Sequence, residues 1–333
     1  MSEKYQPDTQ RYQQAPGFKK CGRSGLSLPL VSLGLWHNFG DADDQQEAFR
    51  MLTYAFDHGI THFDLANNYG HPWGSAEKNF GTMMHEHFKA YRDEMIISSK
   101  AGHLMWDGPY GDGGSRKYLM ASIDQSLQRM KLEYVDIFYS HRYDPTTPLE
   151  ETMGALSDMV KQGKALYVGI SKYPEDKAAE ACRILKNNGT PCLIYQGRYS
   201  ILSREAEKEV FPLAEAEGLG FIGFSPLAQG VLSDKYLHNI PEKSRAALSY
   251  GFLQQSQITP EIIDKMQHLN ELAKQRKQTL AQMALAWCFH NEAVSSVIVG
   301  TSSVKQLQEN IEALKNLHFS DDELWRIGEI AQK

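Results

Sequence analysis

Eight short runs rich in β-branched and apolar residues recur along the chain, at 30–36, 61–65, 95–99, 135–140, 165–170, 192–196, 221–224 and 297–299, and predict strands. Between them apolar residues fall three or four apart, as in Ala48, Met51, Leu52, Ala55 and Phe56, or Leu119, Ile123, Leu127 and Met130. That spacing predicts helices with one buried face. Eight strand–helix alternations without a Pro-, Gly- or Ser-rich linker predict an α/β fold of the (β/α)8 TIM-barrel type, in one domain over 1–333. A short hairpin turning at Arg23-Ser-Gly precedes the first strand and suits a plug for the barrel's bottom. Two connections, 102–115 and 226–259, are longer than ordinary barrel loops and belong at the C-terminal face.

An open dinucleotide-binding sheet would need a glycine fingerprint after its first strand, and Leu33-Gly-Leu-Trp-His-Asn-Phe-Gly40 does not supply one. The formal match Gly218-Leu-Gly-Phe-Ile-Gly223 runs into a strand rather than out of one, so it is read as chance.

Side chains alternate along a strand, which puts His62 with Asp64, Ser98 with Lys100, and Tyr139 with His141 on shared faces. The ionisable residues fall at or near the C-terminal ends of their runs, where parallel barrels build active sites. Asp64, Tyr69, Lys100 and His141 together suit the reduction of a carbonyl group. Tyr69 can donate the proton, Lys100 can lower its pKa, Asp64 can keep Lys100 charged, and His141 can donate an N–H to the carbonyl oxygen. At about 4 Å and an effective dielectric near 20, an ammonium favours the phenolate by about 4 kcal/mol, while burial acts the other way. The sequence leaves that balance open.

Composition limits the partners. A formal net charge of −6, from 35 Lys and Arg against 41 Asp and Glu, gives no attraction to nucleic acid or anionic membrane. No apolar stretch approaches a membrane span, and the polar opening residues suggest a soluble, cytoplasmic protein. The four cysteines, Cys21, Cys182, Cys192 and Cys288, have neither disulfide nor metal-site spacing and are expected to be reduced and mostly buried. Twelve histidines raise the alternative of a metal-dependent hydrolase. His85-Glu-His87 lies in a predicted helix, where residues two apart do not face one another, so no metal site is expected.

The stretches Gly59-Ile-Thr-His-Phe-Asp-Leu-Ala-Asn-Asn-Tyr-Gly70, Ile97-Ser-Ser-Lys100, 134–141 and Ala165-Leu-Tyr-Val-Gly-Ile-Ser171 resemble the signatures of the aldo-keto reductases over nearly the whole chain. Within that superfamily the chain is similar to the bacterial L-glyceraldehyde 3-phosphate reductases and to potassium-channel β subunits. The resemblance implies NADP(H) as cofactor, Asp64, Tyr69, Lys100 and His141 as a catalytic tetrad, and short or phosphorylated aldehydes, including methylglyoxal, as substrates. It also leaves room for an NADPH-binding, redox-sensing interaction protein, and homo-oligomers remain open.

Cofactor contacts are implied at Trp36 and Asp64, at Ser171 and Gln196 for the nicotinamide carboxamide, and at Phe224 for the nicotinamide ring. Ser225, Leu227, Gln229 and Gly230 would wrap the pyrophosphate, with cations at Lys235 and Arg245. Gly300, Ser302, Gln306, Glu309 and Asn310 would hold the adenosine, although many family members carry Lys and Arg in place of Gly300 and Gln306. Trp36, His37, Trp106 and Tyr110 suit an aromatic mouth, and Arg142 and Arg116 are the sequence's candidates for a substrate phosphate.

Overall fold

The computed structural model describes residues 5–13, 15, 17–237, 240 and 253–332. Eight parallel strands close into a barrel: β3 (Val31–Gly34), β4 (His62–Asp64), β5 (Ile96–Ala101), β6 (Val135–Ser140), β7 (Ala165–Ser171), β8 (Ile194–Arg198), β9 (Gly220–Phe224) and β10 (Val294–Val299). They neighbour one another in chain order, and β10 returns to β3. Around them run α1 (Gln45–Asp57), α2 (Ser75–Met83), α3 (Arg116–Met130), α4 (Leu149–Lys161), α5 (Glu175–Asn187), α6 (Ala206–Glu217), α7 (Pro260–Gln275), α8 (Leu280–Trp287), α9 (Val304–Glu312) and α10 (Asp321–Gln332).

Local sequence explains the helix starts. Asp44 caps α1 by accepting from the N–H groups of Gln46 and Glu47, and Ser115 caps α3 by accepting from Tyr118. The face of α1 that packs inward is the predicted one, Ala48, Met51, Leu52, Ala55 and Phe56. Strand edges differ by a few residues from the expectation. β10 begins at Val294, because a register irregularity against β9 between Val294 and Ser296 carries two serines that hide the strand in the sequence. His85 and His87 fall in a π-helical turn, Met84–Phe88, that continues α2. Among the described residues no three His, Cys, Asp or Glu side chains gather to hold a metal, and no helix is long and apolar enough to cross a membrane.

The antiparallel hairpin of β1 (Phe18–Lys20) and β2 (Ser27–Pro29) closes the barrel's N-terminal end. Arg23 donates from its backbone N–H to Gly218 O, just before β9. Cys21 and Leu28 join Ile96, Ile137, Tyr139, Ile194, Ile222 and Ile298 in the apolar cluster inside the barrel. All four cysteines are buried and unpaired. Higher in the same interior Gly169 gives room to Tyr139, since a Cβ there would lie 2.6 Å from the tyrosine ring.

Candidate active site

The rim above the hairpin-closed end collects the predicted residues. Asp64 ends β4, Lys100 lies next to last in β5, and His141 follows β6 directly. Lys100 is fully buried, and its Nζ donates to Asp64 Oδ2 at 2.6 Å and to Leu65 O at 2.6 Å. The other carboxylate oxygen, Asp64 Oδ1, accepts from Ser98 Oγ at 2.8 Å and from Gln196 Nε2 at 3.0 Å. Tyr69 sits beside this pair with its ring centroid 5.0 Å from Lys100 Nζ and 6.0 Å from the His141 ring, which meets it edge-on. Trp36 stacks on Tyr69 from the outer side at 6.0 Å. Four residues distant in sequence therefore lie against one another.

Burial decides the protonation states. It pushes the Tyr69 phenol well above its usual pKa, with the Asp64 carboxylate adding to the shift, so the hydroxyl keeps its proton. Burial also lowers the Lys100 pKa, against the opposing pull of Asp64. Of the two opposing effects weighed from the sequence, desolvation outweighs the ammonium's help to the phenolate. The His141 imidazole is held neutral, its pKa far below the ordinary value, by burial and by the nearby Lys100, Lys172, His103 and Arg142. A neutral ring can still donate from one nitrogen.

Behind Asp64 lies a chain of side chains that the strand pattern only hinted at. His62 bonds Ser98 Oγ through Nε2 at 3.0 Å and Ser32 Oγ through Nδ1 at 2.8 Å, and Ser32 bonds Ser296 Oγ at 2.7 Å. Serines at 32, 98 and 296 interrupt apolar runs at inward-facing positions, and that was the available signal.

The residues expected around a nucleotide occupy the adjoining arc of the rim. Ser171 ends β7 and pairs in register with Gln196 of β8, and Phe224 ends β9. The Ser171 hydroxyl and the Asn310 amide nitrogen are buried without a hydrogen-bond partner. Ser225, Ala228, Gln229 and Gly230 all take positive φ, and the segment folds on itself through Ala228 N donating to Ser225 O at 2.9 Å and Gly230 N to Leu227 O at 2.8 Å. After β10, Gly300 is exposed and open, Ser302 donates from N and Oγ to Gln306 Oε1, and Ser303 caps α9. Glu309 and Lys235 are exposed, and Arg245 lies outside the described residues. A polar group buried without a partner, as at Ser171 and Asn310, is costly unless something completes its hydrogen bonds.

Three sequence candidates have other partners. Arg116 pairs with Asp158 on α4 at 2.6 Å, because it opens α3 on the outer layer. Trp106 packs on Tyr118 at 5.2 Å, and Tyr110 lies under Lys117, while of the four expected mouth aromatics Trp36 stacks on Tyr69 and His37 stacks on Trp36.

The sequence profile of the Aldo/keto reductase family matches residues 30–332. The chain belongs to the aldo/keto reductase family. Members of this family generally use NAD(P)H. The chain is 52% identical over 324 residues, 96% of this chain and 93% of the relative, to the L-glyceraldehyde 3-phosphate reductase of Escherichia coli O157:H7. It is 51% identical over the same shares to the protein of that name from Escherichia coli K12. A probable voltage-gated potassium channel subunit beta from Oryza sativa subsp. japonica is 37% identical over 303 residues, 89% of this chain and 90% of the relative. Family membership together with the reductase relatives supports an oxidoreductase that reduces aldehydes.

Proposed function

We propose that this aldo/keto reductase is an NADPH-dependent reductase of short aldehydes, of the glyceraldehyde 3-phosphate and methylglyoxal class. The observation that carries the reading is the buried Lys100–Asp64 pair beside a protonated Tyr69 that faces a neutral His141. NADPH would supply the hydride. Tyr69 would give its proton to the developing alkoxide, and His141 would donate an N–H to the same oxygen and orient the carbonyl. Lys100, held by Asp64, would stabilise the phenolate that Tyr69 becomes after the transfer. Trp36, stacked on Tyr69, would wall water from the reacting oxygen.

Ser171 and Asn310 would bind the nicotinamide amide and the adenine, the left-handed loop the pyrophosphate, and Ser302 with Gln306 the adenosine 2′-phosphate. The Gln196 amide nitrogen, already given to Asp64, leaves its carbonyl oxygen for the carboxamide.

Tyr69→Phe tests the assignment. Cofactor binding, followed by nucleotide fluorescence, should persist while aldehyde turnover falls by about 10²–10⁴. Loss of both would make Tyr69 structural and remove the proposed acid. The likeness to a channel β subunit favours a second reading, a cofactor-binding sensor. Turnover limited to one cofactor equivalent per chain would select it.

A further inference from the structure

One flank of the mouth carries positive charge that the tetrad does not use. Lys172 follows Ser171 at the end of β7 and takes a left-handed backbone, φ 56°, a conformation that a lysine adopts at a cost. Its Nζ lies 3.1 Å from His103 Nε2, and the His103 ring meets the His141 ring edge-on at 4.5 Å. The ammonium is thus separated from the proposed oxyanion donor by the width of one imidazole. Arg198 ends β8 two residues beyond Gln196, exposed on the same side and within electrostatic reach of Lys172. Among the described residues neither Lys172 nor Arg198 has a carboxylate partner. Arg142 donates to Gly102 O at 2.7 Å and pairs with Asp112 at 3.0 Å, which supplies one negative charge against three cations.

The consequences of that imbalance are visible in the basic groups themselves. Lys172 is pushed down to about 8 by burial and by Lys100, Arg142 and Arg198, and His103 down to about 4 by burial, Lys172 and Arg142. An anion placed among them would relieve repulsion that the protein alone leaves standing.

We propose that Lys172, Arg198, Arg142 and His103 form a subsite for the phosphate monoester of a short aldehyde whose carbonyl lies against Tyr69 and His141. The inference rests on the reductase reading above and deepens it, since it turns a general aldehyde site into one selective for anionic substrates. His103 lies between the two ends of such a substrate. Neutral, it accepts a hydrogen bond from Lys172 and fixes the ammonium at the distance where the phosphate falls. Arg116, the sequence's other candidate, has no part in the cluster.

The experiment compares glyceraldehyde 3-phosphate with methylglyoxal, both with NADPH, for the full chain and for Lys172→Met, Lys172→Arg and the double variant Lys172→Met/Arg198→Met. The expected result is a fall of about tenfold or more in kcat/KM for the phosphorylated aldehyde in Lys172→Met, carried mainly by KM, with a larger fall in the double variant. The ratio of the two kcat/KM values should collapse toward one, and Lys172→Arg should restore most of it. Equal losses for both aldehydes, or a weakened cofactor dissociation constant with the ratio unchanged, would overturn the subsite and assign Lys172 to the nucleotide.

A second readout does not depend on turnover. Inorganic phosphate should shift the imidazole NMR signals of His103 in the unaltered chain and fail to do so in the double variant. A protein that reduces neither aldehyde yet shows that shift would lose the reductase reading and keep the anion site. No shift in the unaltered chain would remove the site itself.

Discussion

Gln196 and Lys100 grip opposite oxygens of one carboxylate: the amide of Gln196 donates to Asp64 Oδ1 at 3.0 Å while the ammonium of Lys100 takes Oδ2 at 2.6 Å. The carboxylate is thereby held in one plane. Ser98 is a third side-chain donor to the same carboxylate.

Removing one member of the pair should cost more than removing both. Lys100→Met strands a buried carboxylate and is expected to destabilise the fold by about 3–5 kcal/mol, whereas Lys100→Met/Asp64→Leu should recover much of that. Urea unfolding of the single and double variants measures the coupling, and both should lack aldehyde turnover. A Lys100→Met chain as stable as the original would show that Asp64 is reached by solvent.

Acid should weaken the fold earlier than carboxylate titration alone would. His62 is lowered to about 4 by burial, and burial holds His141 well below the ordinary imidazole value, so both stay neutral in the fold while the unfolded chain protonates them below about 6.5. His103, also lowered to about 4, adds a third such group, so the unfolded state binds about three more protons between those values and unfolding free energy drops as pH falls, by up to about 4 kcal/mol per pH unit. The loss is complete for His62 below pH 4. Unfolding curves from pH 7 to 4 test this, and His62→Gln should flatten the slope by about a third.

The preference for phosphorylated substrates should itself depend on pH. Lys172, faced by Lys100, Arg142, Arg198 and His103, loses its proton near pH 8, so its attraction for an anion is present below that value and declines above it. In a pH profile, kcat/KM for glyceraldehyde 3-phosphate should decline tenfold per unit above about 8, relative to methylglyoxal. Parallel profiles for the two aldehydes would count against the role given to Lys172.

Gly169→Ala should disturb the barrel interior. The added carbon would meet the Tyr139 ring at 2.6 Å and Ile194 O at 2.8 Å, neither of which is free to move aside. A loss of about 1–3 kcal/mol is expected, read by thermal unfolding.

The barrel was legible because each strand carried its own apolar run and each helix its own periodicity. Asp64, Lys100 and His141 were legible because alternation puts them at strand ends. Other parts depended on partners that a linear reading does not reveal. Lys172 looked like any lysine after a strand until β7 set it against His103, and Arg116 looked available until α4 supplied Asp158. Trp106 and Tyr110 sit in the loop expected at the mouth, and their contacts with α3, through the Tyr118 ring and the Lys117 ammonium, are not readable from the sequence. The hydroxyls of Ser32, Ser98 and Ser296 read as interruptions, since the gain from linking them appears only when four strands meet.

That linkage has a direction. Asp64 can only accept, so Ser98 must point its proton at the carboxylate and offer its lone pairs to His62 Nε2–H, which obliges Nδ1 to accept from Ser32. The imidazole is locked into a single tautomer by an anion two residues along its own strand. A second proton on that ring would make Nδ1 a donor to the Ser32 oxygen and turn the Ser32 hydroxyl proton toward Ser296, so the reversal would be felt at the floor of the barrel before it reached the rim.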